Sequence, residues 1–348
     1  MDLALSLIAR DEAASVPSND TDMTPEMRAQ MQFMQLRRQC IKKFDPVKCS
    51  MDYAMLRYRP SIAGNSIYLV CFVILLAAHL FFGVRKKTYK YCGVVCLGIV
   101  GEIAGYVGRL MLYNNPYNMD NFLMNLVPLT IAPALFTGGI YLCLGRVITA
   151  IGAENSRIKP KMYTYIFVGA DLVSLILQAI GGAMASMAND DDGRDLGVNI
   201  MIAGLIFQVV SMSLFGIWGD FVLRTNKAKK NGTLSRIQPP LYSQLRSSGN
   251  LKWFQWSLAV ATILIYIRCI YRVAELWGGF QSHLANDEVT FMIFEGPLII
   301  IAVSAMAMFH PGRVFGKELW VAAGKGVRSA EKNSDSFDLS TENLRSHV

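Results

Sequence analysis

Lysine is absent from every long apolar stretch of this 348-residue chain. A retinal Schiff base needs a lysine amine inside a span, so a pigment of the rhodopsin kind is excluded. Histidine is scarce: His79, His283, His310 and His347 stand far apart, with no His-x-x-x-His or His-Glu-x-x-His pair. A seven-helix zinc hydrolase of the ceramidase or adiponectin-receptor type needs a histidine cluster, so neither a metal nor another cofactor is expected. A glycine-rich phosphate loop with a following lysine is missing, which removes a built-in nucleotide motor. No paired nucleophile and base stands out, and the chain does not read as an enzyme. Charge is sparse as well, at 17% of residues, against about 25% in an average soluble domain.

What is abundant is apolar sequence, 53% of the chain, gathered into long blocks. A bilayer core of about 30 Å is crossed by about 20 such residues in a helix. Seven stretches qualify, at about 61–84, 91–113, 122–150, 163–188, 196–222, 255–277 and 289–309. The expected fold is all-α, a polytopic seven-transmembrane-helix bundle. Residues 1–60 then form an extracytoplasmic segment, 61–309 the membrane domain and 310–348 a cytoplasmic tail that is largely disordered.

Loop charge sets this orientation. Lysine and arginine number four in 85–90, three in 151–162 and seven in 223–254, but zero, one and zero in 114–121, 189–195 and 278–288. Basic loops face the cytoplasm, so the N-terminus is expected outside and the C-terminus inside. The nine basic residues of segment 1–60 oppose this, but long segments weigh less in the rule. Placement in short loops also explains the net charge of +8 without nucleic acid as a partner. Asn19-Asp20-Thr21 fits a glycosylation acceptor on the outer side, whereas Asn231-Gly232-Thr233 falls in a cytoplasmic loop. Cys71, Cys92, Cys96, Cys143 and Cys269 lie in apolar blocks as small hydrophobes. Cys40 and Cys49 lie in the polar N-terminal segment, where a disulfide is possible if that segment is outside. After 310, an amphipathic stretch (RVFGKELWVAAGKGVR) is expected along the cytoplasmic surface, ahead of a polar, disordered end.

Ionisable residues inside spans are costly and normally face the bundle interior. Here they form stripes. Glu102 and Arg109, Asp171 and Gln178, and Arg268 and Glu275 are each seven apart, nearly two turns with a drift of about 20°. Arg272 is four from Arg268, on the same face. Gln208 and Glu295 add polar groups to the fifth and seventh spans. The stripes are expected to converge on a polar cavity towards the outer side, with Asp171 beneath it. Pairing into internal salt bridges that only hold the helices in register is the simpler alternative. The glycines of Gly101-x-x-x-Gly105, with Gly98, Gly108, Gly138-Gly139 and Gly181-Gly182, read as helix packing.

In order along the chain stand Tyr58-x-Pro60-Ser61 with Asn65; Glu102-x-x-Gly105-Tyr106-x-x-Arg109; and Ala132-Pro133 with Tyr141 and Leu144-Gly145-Arg146. Then follow Asp171 with Gln178 and Gly181-Gly182; Gly204-Leu205-x-x-Gln208; Arg268-x-x-Tyr271-Arg272-x-x-Glu275; and Glu288, Glu295 and His310-Pro311-Gly312. Taken together, from about 58 to 312, these motifs resemble the fungal lipid-translocating exporter family. This RTA-like family includes the yeast sphingoid long-chain base exporter and proteins of aminocholesterol resistance. Two positions depart from its pattern: Glu295 stands where Asp is usual, and Met292 where an aromatic is usual.

The resemblance implies an exporter or translocase of amphipathic lipids, with membrane lipids and the amphiphile as partners and a homo-oligomer left open. It implies the fungal plasma membrane, or alternatively the vacuole or another endomembrane. On the polar stripes themselves, Glu102, Glu275 or Glu295 is expected to hold an amino head group. Arg109, Arg268 and Arg272 would orient those acids or meet an anionic group, with Gln178 and Gln208 adding polar contacts. Asp171 is the candidate for proton coupling, since carboxyls inside spans serve as proton relays. The alternative is a seven-helix lipid or stress sensor, although neither the Asp-Arg-Tyr nor the Asn-Pro-x-x-Tyr run of G-protein-coupled receptors is present.

Overall fold

The computed structural model describes residues 56–152, 160–187, 191–214, 242–279 and 282–325, with short pieces between 28 and 54. Asn19, Asn231 and the chain end after 325 lie outside the described residues. Among the described residues there is no strand. The long helices are α1 (Ile62–Arg85), α2 (Tyr89–Asn114), α3 (Met119–Gly152), α4 (Pro160–Met187), α5 (Asp191–Leu214) and α6 (Gly249–Trp277). A seventh span is built from α7 (Glu288–Phe294) and α8 (Gly296–Met308), followed by α9 (Pro311–Val314) and α10 (Gly316–Lys325). Among the described residues, seven helical segments are thus long and apolar enough to cross a membrane.

Local chemistry fixes the ends and breaks. Ser61 caps α1, its hydroxyl accepting from the Gly64 N–H at 3.4 Å. The Ser61 N–H donates to Glu288 at 2.5 Å, which ties the start of α1 to the start of α7. The acidic run at 191–195 opens α5 several residues before the expected boundary, on the end where a helix dipole favours negative charge. The seventh span is not the single helix expected over 289–309. It breaks at Glu295, because Pro297 has no N–H for the Ile293 carbonyl. Near the break, the Met292 carbonyl accepts from the Tyr68 hydroxyl at 2.7 Å.

Helices α1 to α6 pack in chain order, each on the next, and α8 closes the ring against α6 and α1. The most enclosed span is α3, which also touches α6 and α10. Glycine allows the closest approaches. A Cβ on Gly108 would stand 2.6 Å from the backbone nitrogen of Asn125 in α3, whereas one on Gly101 would meet its nearest neighbour at 3.4 Å. A Cβ on Gly204 would stand 2.9 Å from the Ser174 carbonyl oxygen, between α4 and α5. Outward faces are apolar: Ile67, Val70 and Ile74 on α1 and Leu172, Ile176 and Ile180 on α4 are all exposed. Side chains of this kind on the outside suit hydrocarbon rather than water.

Both ends carry added structure. At one, the Cys40–Cys49 disulfide closes a loop against the α2–α3 connection. There the Asn115 amide donates to the Ile41 carbonyl at 2.6 Å, the Tyr117 hydroxyl to the Ser50 carbonyl, and the Arg59 guanidinium to the Tyr113 carbonyl at 3.0 Å. At the other end, α10 is anchored by Trp320, which is buried. The Arg146 guanidinium lies 3.3 Å from the Trp320 ring centroid and donates to the Trp320 carbonyl at 2.8 Å.

Candidate functional site

The polar stripe of α6 meets that of α2 and the break in the seventh span. Arg268 reaches Glu295 at 2.5 Å and Glu102 at 3.5 Å. Arg272 reaches Glu295 at 2.7 Å and Glu275 at 2.8 Å. One oxygen of Glu295 therefore accepts from two arginines on adjacent turns of α6. The break explains its position, because the chain turns at Glu295 and the side chain points inward, fully buried.

A second backbone device serves the same cluster. Pro133 has no N–H, so the Leu129 carbonyl four residues earlier lacks its helical donor. Arg268 supplies one, at 2.8 Å. Freed carbonyls in membrane helices are re-satisfied in this way by neighbouring helices.

Arg109 lies beside the cluster rather than in it. Its guanidinium is 3.5 Å from the Phe291 ring centroid, and it donates to the Tyr58 hydroxyl at 2.5 Å. Burial raises the pKa of Tyr58, an effect that Arg109 opposes. Phe291 also faces Arg272, at 5.8 Å, and so separates the two guanidinium groups. Arg109, Arg272, Glu275, Asn125 and Phe291 line a cavity of about 30 Å³, large enough to hold a water molecule.

Counting Arg109, three arginines and three glutamates are buried here, and their formal charges cancel. Buried charges demand such pairing. Glu102 is the exception in hydrogen bonding. It is fully buried, yet neither carboxylate oxygen accepts a hydrogen bond among the described residues.

The α4 stripe does not join this cluster. Gln178 donates to Gln208 at 3.1 Å and to Ser174 at 2.7 Å, and Ser174 donates to the Gly204 carbonyl at 2.7 Å. This amide pair bridges α4 and α5. Asp171 accepts from the Thr137 hydroxyl of α3 at 2.7 Å, with Tyr141 next to it. The three stripes thus form one ionic cluster and two smaller polar contacts, rather than the walls of one chamber. Tyr58, Phe291, Thr137 and Ser174 complete these contacts and were not singled out as site residues. Only Tyr58 had a signal, in the motif at the start of the first span.

The RTA1 like protein family matches residues 95–318. The Sphingoid long-chain base transporter RSB1 of Saccharomyces cerevisiae is 32% identical over 279 residues, covering 74% of this chain and 73% of the relative. Protein RTM1 of the same yeast is 30% identical, covering 66% of this chain and 70% of the relative. Protein RTA1 is 28% identical, covering 76% and 87%. No solved structure matches the chain. With its seven apolar spans and this likeness over most of its length, the chain is an integral membrane protein that belongs to the RTA1-like family.

Proposed function

We propose that the protein exports or translocates amphipathic lipids across a fungal membrane, with sphingoid long-chain bases or related toxic amphiphiles as substrates. The observation that carries this reading is Glu102. A buried carboxylate that accepts no hydrogen bond, and meets its one cation, Arg268, only at 3.5 Å, is a ready acceptor for an ammonium head group. The named activity of the RSB1 relative points to the same substrate class.

The site works by exchange of partners. An arriving ammonium takes Glu102 and competes with the arginines for Glu275 and Glu295, while Arg268 and Arg272 hold those acids in place. Arg109, parked on Phe291 and Tyr58, borders the small cavity beside Glu275. Separation of these contacts opens the polar chamber during transport. Gln178 and Gln208 lend polar contacts as the bundle changes shape, and Asp171 carries the coupling proton. Membrane carboxyls and amides of this kind line substrate and proton pathways.

The N-terminal segment faces outside and the tail faces the cytoplasm. The Cys40–Cys49 bond supports this, since disulfides persist on the oxidising side. Asn19 then lies where glycosylation takes place, and the plasma membrane is the site of export.

Efflux of a labelled sphingoid base, from cells lacking their own exporter, tests the reading. Cells with this protein should lose label faster than cells without it. Asp171→Asn should remove the dependence on the proton gradient while binding persists. Equal efflux with and without the protein would refute the substrate class, and unchanged proton dependence would refute the role of Asp171.

A further inference from the structure

Independently of that transport site, the α1–α2 turn carries Arg85, Lys86, Lys87 and Lys90 within six residues, and Arg313 of α9 lies beside it. Apart from the half-buried Lys86, these side chains are exposed. Among the described residues none of them forms an ion pair. Glu318 is the one acid in 310–325, and the turn itself has none. Aromatic rings hold two of the cations. The Arg85 guanidinium lies 5.7 Å from the Phe81 ring centroid, and that of Arg313 lies 5.3 Å from the Phe82 centroid. Gly312 lets α9 close on the turn, because a Cβ there would stand 3.0 Å from the Thr88 methyl.

The backbone of this turn is unusual. Thr88 N–H donates to the Gly83 carbonyl at 3.0 Å and Lys87 N–H to the Val84 carbonyl at 3.2 Å. That is the Schellman ending of a helix, which places its next residue in the left-handed region and normally uses glycine. Lys87 stands there instead, with φ of 55°. A non-glycine residue held in that region is strained, and such strain points to a role for the side chain.

We infer that this turn and Arg313 bind the head group of a multiply phosphorylated anionic lipid. Several unpaired cations around one turn match several phosphate charges on one ring better than a single phosphodiester. The exposed Phe81, Val84 and Tyr89 border the cations and place them at head-group depth, in reach of acyl chains. That makes a lipid the occupant rather than a free phosphate. Loop charge puts this end of the bundle at the cytoplasmic leaflet, where basic clusters meet phosphoinositides.

The test uses the purified full chain in phosphatidylcholine nanodiscs. These contain either phosphatidylinositol bisphosphate or phosphatidylserine, matched in total negative charge. Lipid retention is read by native mass spectrometry and stability by thermal melting. The natural chain should retain the bisphosphate several-fold more than phosphatidylserine. Lys87→Gly, which relieves the strained backbone, should lose most of that preference while melting in plain phosphatidylcholine no earlier than the natural chain. Arg313→Gln should weaken retention likewise, and Lys48→Gln, at the opposite end, should not. Equal retention of the two lipids, or full retention by Lys87→Gly, would overturn the inference.

Discussion

Arg268 occupies the acceptor that Pro133 leaves open. The Leu129 carbonyl has lost its helical donor, and the Arg268 guanidinium donates to it at 2.8 Å while also binding Glu295 at 2.5 Å. A proline in one span thus fixes a buried cation from another. Cluster geometry and fold are coupled, so the charges should behave as one unit.

Removing Arg268 alone leaves Glu295 and Glu102 poorly compensated in the interior. Arg268→Ala is expected to cost about 3–5 kcal/mol, the usual cost of breaking a buried ion pair. Arg268→Ala combined with Glu295→Ala should cost less than the sum of the single changes. Denaturation of all four proteins in detergent measures the coupling. Strictly additive costs would contradict the network.

Glycine replacements should rank by space. Gly108→Ala drives a methyl to 2.6 Å from the Asn125 backbone, while Gly101→Ala makes a contact of 3.4 Å. The first should destabilise by about 1–3 kcal/mol, as overpacking does. The second should be near neutral. Melting temperatures of the two variants check the order.

The C-terminal helix should matter to stability through one side chain. Trp320 is buried and clamped by Arg146. Trp320→Ala should cost about 3–5 kcal/mol, as loss of a large buried aromatic does. It should also raise proteolysis within α10. Limited proteolysis and melting of the variant measure both effects, and an unchanged protein would show that α10 is not held by this contact.

The proposed orientation gives a labelling prediction. After mild reduction of intact cells, a membrane-impermeant thiol reagent should modify Cys40 and Cys49. Cys92 and Cys96, inside the second span and towards its other end, should stay unlabelled. Labelling of Cys40 and Cys49 only after permeabilisation would place the N-terminal segment inside.

Much of this was legible in the sequence because hydrophobic blocks dictate spans and helical spacing dictates stripes. Glu102, Arg268, Arg272 and Glu275 were found by spacing alone, and they do meet. What spacing does not contain is how each helix is rotated about its axis in the bundle. The stripe of Asp171 and Gln178 therefore looked like a third wall of the same site, whereas packing turns it towards Thr137 and Gln208. The break at Glu295 had a local signal in Gly296-Pro297, but a hydropathy window averages over it. The link from Pro133 to Arg268 joins residues 135 positions apart in the chain, and nothing local encodes it.

The central claim is that the buried acid cluster receives an amphiphile's cationic head group, with Glu102, which meets Arg268 only at 3.5 Å and accepts no hydrogen bond, as the acceptor. Glu102→Gln tests it most directly, because it keeps the shape of the side chain, breaks no hydrogen bond of the described residues and removes only the 3.5 Å ion pair with Arg268. Efflux of a labelled sphingoid base would be compared between this variant and the natural chain at matched surface expression, with melting temperature as a control. The account predicts at least a tenfold loss of efflux, equivalent to about 1.4 kcal/mol, beyond any loss of folded protein that the melting control records. Full efflux by a stable Glu102→Gln protein would contradict it.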